Sequence, residues 1–567
     1  MAILAIINLQ RRAMLRTLLI TLILTITIGV NGQVSVGGEP YSLKNGMQKE
    51  DVETIVIPKP NMHLIELEDE QRSLAGLLEL NGRMIEVDRD LSNSGTWTDL
   101  PNGDRIWRLI IEADDALATE LFYKDFYIPS GASLHLYDMN DEQLIGGFTS
   151  YNNHESGLFT TDLIKGSTCV VEYFEPANVR GEGTLNITHV GYSYRHVPGM
   201  SEAKAQDCEV DINCDPEGND WTDQRGSVVR IRVLTSQGVG WCSGSVMNNT
   251  DQDCTPYVLT AFHCGEDAST ANYLQWKIYF NYQRPGCEIG NAISNQSMTA
   301  CIKKADSNDG GGASGSDFLL IEMEDEIPIW YGAFYSGWDA TGNGSNIGVS
   351  IHHPDGDEKK ISTYTSNLVS ATWPGGSANG AHWRVIWTGT QNGHGVTEGG
   401  SSGSPIYNSD KRLIGTLTGG ASYCNSVVPG GQNQPDYYGK MDWHWDGNSN
   451  PTADLKDFLD PGNTGSDVYD GQFNPCNFVG IEETSLDELS IYPNPSIGVF
   501  NISFDQRNDL FSRYEVYNAV GSLIMSKEIY SAGDLEIDLS DLESGSYFVT
   551  IWNNIGDELT KTVMLLK

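Results

Sequence analysis

The sequence predicts a mainly β protein made of several consecutive domains. Short apolar runs recur along the chain, each closed by Gly, Pro, Asn or Asp turn signals, as in sheets built from many short strands. The 61 Gly and 21 Pro supply those turns. With 567 residues, 39% of them hydrophobic and 20% charged, the chain is globular in composition and long enough for about three or four domains.

The formal net charge is -41, from 76 acidic and 35 basic residues. No basic footprint for nucleic acid is present. Such an acidic surface favours solubility and draws cationic groups toward it. Ten cysteines are scattered without a CxxC pair, so disulfides in an oxidising compartment are expected rather than a zinc ribbon.

Arg11, Arg12 and Arg16 precede the apolar run Leu18 to Val30, and small residues follow. Residues 1–32 therefore read as a secretory signal cleaved after Gly32. No other segment is long and apolar enough to cross a bilayer as a helix. Residues 33–204 form a β-rich region with strands at Arg105–Ile111, Ser133–Tyr137 and Thr168–Tyr173, and one short helix from Asp114 to Tyr123. No catalytic constellation occurs in this region. The region reads as a binding module or as a pro-region removed after folding, and its placement before a polar joint at Lys204-Ala205 favours the pro-region.

Residues 205–476 carry the chemistry. The stretch Gly399-Gly400-Ser401-Ser402-Gly403-Ser404-Pro405 ends in the strand pattern Ile406-Tyr407 and Leu413 to Leu417. Alone it reads as a common flexible loop. A serine in such a turn can nevertheless expose its hydroxyl, and the glycines let backbone N–H groups approach a carbonyl. Upstream, the strand Tyr257 to Ala261 delivers His263, beside a Cys264 that could staple the loop to Cys242. Asp317 opens the strand Phe318 to Ile321. His263, Asp317 and Ser402 thus follow in chain order, each at a strand edge, within a pattern that predicts a barrel or sandwich. They match the roles of general base, its orienting carboxylate and the acyl-transfer nucleophile, with Gly400 and Ser402 N–H groups as the oxyanion hole.

Six ordered segments, among them Cys208 to Cys214, Leu259 to Cys264, Ser316 to Leu320, Ile351 to Pro354 and Gly395 to Tyr407, resemble the bacterial lysyl endopeptidases. The resemblance implies a chymotrypsin-like double β-barrel with a triad at His263, Asp317 and Ser402. It implies a specificity carboxylate at Asp436, which otherwise reads as a turn residue after Pro435, and hence cleavage after lysine. Trp373 matches a tryptophan near the family's active site, whose histidine partner is replaced here by Thr418; this departure bears on activity, pH range and strictness for Lys over Arg. The family's disulfides fall on Cys208–Cys424, Cys214–Cys287 and Cys242–Cys264. Cys254 and Cys301 remain as candidates for a fourth bridge, with Cys169 in the pro-region and Cys476 at the start of a linker. His352 and His353 match structural positions and are not read as metal ligands. The loop Asp306 to Ser316 is read as a surface loop, or less readily as a calcium site. No cofactor or metal is expected.

Trypsin-like zymogens bury a new N-terminus against an Asp preceding the nucleophile; here that position is Ser401, so activation cannot use that pair. Residues 477–488 are an acidic linker. Residues 489–567, opening on Leu489 to Pro495 and ending in Lys567, resemble the type A sorting domain of type IX secretion, which implies a small β-sandwich and export. The expected product is a monomeric secreted serine endopeptidase acting on protein or peptide substrates. The alternatives are a broader Lys/Arg protease or a non-catalytic adhesin on a protease scaffold.

Overall fold

The computed structural model describes residues 37–195, 197, 205–292, 296–425 and 431–476, and 489–566 apart from short stretches. The signal segment, Lys204 and the acidic linker lie outside the described residues. The chain forms two compact units that part between Cys476 and Asn477.

Within the first unit, residues 37–195 contribute a six-stranded sheet ordered Thr54–Ile57, Arg105–Ala113, Thr168–Glu175, Ser133–Asp138, Leu144–Phe148, with Thr96–Asp99 paired to Arg105–Ala113. Its apolar face (Leu109, Ile111, Leu134, Leu136, Val171) meets Leu121, Tyr123, Ile187 and Val190 of a second sheet. The predicted helix from Asp114 to Tyr123 is instead the strand Ala118–Tyr127. Ala, Leu and Glu favour a helix in isolation, but six consecutive residues, 118–123, are buried and pair with Thr184–Ser193 in the register Leu121↔Val190. Packing on both faces decides the conformation against local propensity.

That second sheet runs on into residues 205–476. The strand Leu80–Asp90 pairs antiparallel with Gly238–Val246, setting Leu80 opposite Gly240, Gly82 opposite Val239 and Arg83 opposite Gly238. Gly238–Val246 in turn pairs with Val228–Leu234 and Tyr257–Ala261, and Tyr257–Ala261 with Phe318–Met323. These strands curl around a core of Val229, Ile231, Cys242, Val258, Trp276 and Leu319. A second, ten-stranded sheet carries Gly348–His352, Pro405–Tyr407, Leu413–Gly420, Asp436–Lys440 and His382–Val385 in neighbouring positions. The fold is therefore mainly β with two barrel-like sheets.

Buried charge joins the N-terminal region to the first barrel-like sheet. Arg232, 2% exposed, points its Nε at both Glu120 oxygens (3.1 and 3.3 Å) and its Nη1 at Asn81 Oδ1 (2.6 Å). Lys277 Nζ approaches Glu120 (3.8 Å) and Asp162 (3.3 Å). Removing one member of such a buried set strands the others in low dielectric. Glu120→Ala is expected to destabilise the full-length chain, carried as the Ser402→Ala variant, by about 3–5 kcal/mol, checked by urea unfolding.

Four disulfides are formed: Cys208–Cys424, Cys214–Cys287, Cys242–Cys264 and Cys254–Cys476. The fourth corrects the candidate pairing of Cys254 with Cys301. Cys301 opens the strand Cys301–Asp306 and faces the core, its Sγ 3.3 Å from Tyr273 O; like Cys169 it is a buried free thiol.

The second unit has a three-stranded sheet (Leu489–Tyr492, Val499–Phe504, Leu535–Asp538) and a four-stranded sheet (Leu523–Glu528, Phe511–Asn518, Gly545–Asn553, Glu558–Leu565). Phe500, Ile502 and Ile537 of one and Val516, Val549 and Ile551 of the other share a single core, which makes it a small sandwich.

Candidate active site

The strand Tyr257–Ala261 ends in a single helical turn, Phe262–Gly265, which sets His263 at its end. The neighbouring strand Phe318–Met323 begins just after Asp317, and the two edges meet. Phe262 N–H donates to Asp317 O (3.1 Å), His263 N–H to Asp317 Oδ1 (2.9 Å), and His263 Nδ1 lies 2.8 Å from Asp317 Oδ2. One carboxylate thus fixes both the backbone and the ring of His263. Asp317 is fully buried with φ 58°, a left-handed conformation that few non-glycine residues adopt and that is often found at functional sites. Burial lowers the His263 pKa, but Asp317, by charge and hydrogen bond, and then Glu266 and Asp309 raise it by more, so the net shift is upward.

Asp309, in the Gly-rich loop read from sequence as surface or calcium site, underpins this arrangement. Its Oδ2 accepts from Asp317 N–H (2.7 Å) and its Oδ1 from Gly312 N–H (3.2 Å). Burial and the adjacent Asp317 push its carboxyl up to about 6. Among the described residues, the one acidic, His or Cys group close enough to hold a metal is Glu209, Glu398 and Cys424, whose sulfur is in a disulfide.

The turn Gly399–Ser402 comes from the other sheet. Gly400 has φ 83° and Gly403 φ 79°, which glycine adopts without strain. A Cβ at Gly400 would stand 2.8 Å from Gly356 N and His353 O, so close packing also requires glycine. Ser402 O accepts from Ser243 N–H (2.8 Å), pinning the serine to the first barrel-like sheet. Among the described residues the N–H groups of Gly400 and Ser402 donate no hydrogen bond. His263, Ser402, Trp373, Thr418 and Gly400 line one cleft of about 880 Å³.

Thr397, Gly420 and Ser422 line the same cleft, and Asp436 lies immediately behind them. Its Oδ2 accepts from Trp387 Nε1 (2.6 Å), Thr397 Oγ1 (2.8 Å) and Ser422 Oγ (2.5 Å), its Oδ1 from Ser422 N–H (3.1 Å). Burial raises its pKa, opposed by these donors. Any side chain at Gly420 would collide with the carboxylate.

The structure also places a histidine that motif reading missed. The His382 ring faces Trp373 at 6.1 Å and 31°, and its Nε2 lies 3.0 Å from Thr418 Oγ1. Burial lowers its pKa to about 4, which keeps the ring neutral. Trp373 also meets Tyr437 edge-on at 5.6 Å. His382 meets Trp373 across the hairpin of Val369–Ala371 with His382–Val385 and meets Thr418 from a third strand; no local motif marks it.

Two barrel-like sheets, a buried His–Asp pair between strand ends and a serine in a glycine turn on the same cleft define the class of serine endopeptidases with a chymotrypsin-like fold. Residues 203–439 match the family described as "Lysyl endopeptidase, C-terminal domain", and residues 490–565 match "Secretion system C-terminal sorting domain". A lysyl endopeptidase of Pseudomonas aeruginosa is 32% identical over 373 residues, 60% of this chain and 74% of that protein. The chain belongs to the lysyl endopeptidase family. Among solved structures it is similar to the protease Anisep of Arthrobacter nicotinovorans (14% identity, TM-score 0.26, 38% of this chain and 90% of that one). It is also similar to Deg5 (16% identity, TM-score 0.25, 40% and 88%). The sorting domain marks the chain for export, to the medium or the cell surface.

Proposed function

We propose that the chain is the precursor of a serine endopeptidase that cleaves on the carboxyl side of lysine. Ser402 Oγ attacks the scissile carbonyl while His263 takes its proton. The acyl-enzyme forms as the C–N bond breaks and His263 returns the proton to the leaving amine. Water, activated by the same imidazole, then releases the acid. Asp317 holds the imidazole and stabilises its charged form. The N–H groups of Gly400 and Ser402 receive the oxyanion, a contribution of roughly 3 kcal/mol per donor.

The observation that carries the lysine reading is the state of Asp436. Three donors occupy Oδ2 and one occupies Oδ1, leaving room for about one further donor on Oδ1. An ammonium, a point charge, needs one such position. A guanidinium bonds a carboxylate best through two parallel contacts and finds no second oxygen free. The test is a digest of a mixed peptide pool with the secreted protein, reading new termini by mass spectrometry. Cuts after lysine alone are expected. Cuts after lysine and arginine alike would overturn the pocket argument, and no cuts by a processed enzyme would favour a binding protein.

We further propose that residues 33–204 are a pro-region that blocks the cleft. The helix Met62–Leu74 and the segment 76–80 line it together with His263 and Ser402. The Glu79 carboxylate lies against Gly399, and Leu80 to Arg83 pair with Gly238 to Gly240, which fastens the segment at the cleft. Arg72 locks the helix in place through Leu78 O (3.2 Å) and Asp267 (3.2 Å). Lys204 offers a self-processing site. A purified Ser402→Ala precursor is expected to stay intact while the wild type loses its pro-region, read by intact mass; loss of the pro-region from the variant alone in buffer would sink self-processing.

A further inference from the structure

The two residues after Lys204 are gripped by two carboxylates, one on each flank of the Gly399–Ser402 turn. Ala205 N–H donates to Asp357 Oδ2 (2.9 Å) and Gln206 N–H to Glu398 Oε2 (3.3 Å). Glu398 runs directly into Gly399. Asp357 reaches the turn from the opposite side, through the segment 353–357. There Asp355 N–H donates to Gly399 O (2.5 Å), and His353 and Gly356 pack against Gly400. One hydroxyl completes the bracket: Ser243 Oγ accepts from His353 N–H (3.0 Å) and donates to Gly400 O (2.9 Å).

Asp357 is incompletely served in this precursor. It is 2% exposed, and its Oδ1 has no hydrogen-bond partner among the described residues. Burial and the adjacent Glu358 push its carboxyl up to about 7, with Lys360 acting in the opposite sense. The surrounding cations are turned elsewhere: Lys360 pairs with Asp211, Lys359 Nζ donates to Arg225 O (2.5 Å), and Arg230 Nη1 donates to Gly356 O (2.7 Å). Arg284 lies nearer Glu358 (3.7 Å) and Asp211 (3.5 Å), and burial keeps His353 neutral. Among the described residues the Ser401 hydroxyl, by contrast, makes neutral contacts: its Oγ lies 2.8 Å from Nδ1 of His352, whose pKa burial lowers to about 3, and accepts from Glu398 N–H (3.3 Å).

We propose that Asp357 anchors the mature N-terminus and so acts as a positioning residue for the oxyanion turn. This rests on processing after Lys204. Hydrolysis adds water across the Lys204–Ala205 amide: the carbonyl carbon gains the hydroxyl, the nitrogen gains hydrogen, and the acid's proton passes to the amine. The Ala205 N–H that already meets Asp357 becomes an ammonium, with an α-amino pKa of about 8. A neutral hydrogen bond becomes a charge-assisted ion pair at a carboxylate that lacks a cation. The pair then holds segment 353–357, and through it Gly399 and Gly400, in the geometry the oxyanion needs.

The experiment uses processed enzyme, its N-terminus read by mass spectrometry, in three forms: wild type, Asp357→Asn, and wild type acetylated on the α-amine. Acetylation at about pH 6.5 in urea with the disulfides intact opens the pair, so that the α-amine, at about 8, reacts ahead of the lysines, at about 10.4, and Lys359 is no longer lowered by burial; wild type carried through the same unfolding and refolding is the reference. Asn keeps an acceptor for the backbone nitrogen and removes only the charge. Asp357→Asn and acetylation are each expected to lower kcat for a lysyl ester about tenfold, the scale of one charge-assisted contact, with KM little changed. Acetylating Asp357→Asn is expected to do nothing more. Acetylated wild type with full kcat would overturn the pair even if the variant failed to fold, and so would additive losses. A mature chain that begins elsewhere than at Ala205 would overturn the processing site and the pair together.

Discussion

Asp317→Asn is expected to lower kcat on lysyl substrates by about four orders of magnitude while leaving KM within a few-fold. The amide can still meet the backbone N–H of His263, so the turn stays folded. It offers one oxygen instead of two, and the imidazole loses the charge that holds its Nδ1–H inward. The pH profile gives a second readout. His263 must be neutral to accept the Ser402 proton, and Asp317, with Glu266 and Asp309, raises its pKa above 6.5 against the effect of burial. In the wild type the acid limb therefore lies above 6.5 and activity rises as pH climbs through it. In Asp317→Asn burial dominates and the residual activity is expected to keep its plateau to lower pH. A variant with near-normal kcat would remove Asp317 from the mechanism.

Asp436→Asn is expected to cost lysyl substrates about 3–5 kcal/mol in kcat/KM, roughly a hundred- to several-thousand-fold, because a buried lysine ammonium is left without its counter-charge. An ester with a neutral P1 side chain of similar length is expected to lose far less. Trp387, Thr397 and Ser422 can each still find a partner in the amide, so the fold should survive, which a melting curve checks. Equal losses on charged and neutral substrates would mean that Asp436 only supports the pocket wall.

The elements that sequence made legible are those whose signal is local. Tyr257–Ala261, Phe318–Met323 and Leu413–Gly420 announce themselves as short apolar runs beside turn residues, and the Gly/Ser turn of Ser402, a common loop by itself, gains meaning from His263 and Asp317 earlier in the chain. What stayed hidden depends on distant partners. The strand Ala118–Tyr127 carries helix-forming residues and is overruled by burial on both faces. Asp309 lies among glycines and serines that read as loop, and only the path of the folded chain turns its carboxylate toward Asp317. Cys254 has three unassigned cysteines, Cys169, Cys301 and Cys476, as candidate partners, and sequence gives no distance by which to choose Cys476. His382 opens the strand that pairs with Val369–Ala371, the arm of the hairpin just before Trp373, so the loop between them folds the indole back over the ring; its Thr418 partner comes from a separate strand, Leu413–Gly420.

The Cys254–Cys476 bridge has a mechanical consequence. Cys476 is the final residue of the first unit, and the bridge ties it back to a residue 222 positions earlier. A tug arriving along the chain from the sorting domain, during passage through an export machine or on a cell surface, ends at that covalent knot. The short terminal strand Gln472–Phe473, paired only with Phe334–Tyr335, carries none of the load and cannot be unzipped from its end. The protease can thus be hauled by its tail, or trimmed free of it beyond residue 476, without the catalytic unit losing a strand.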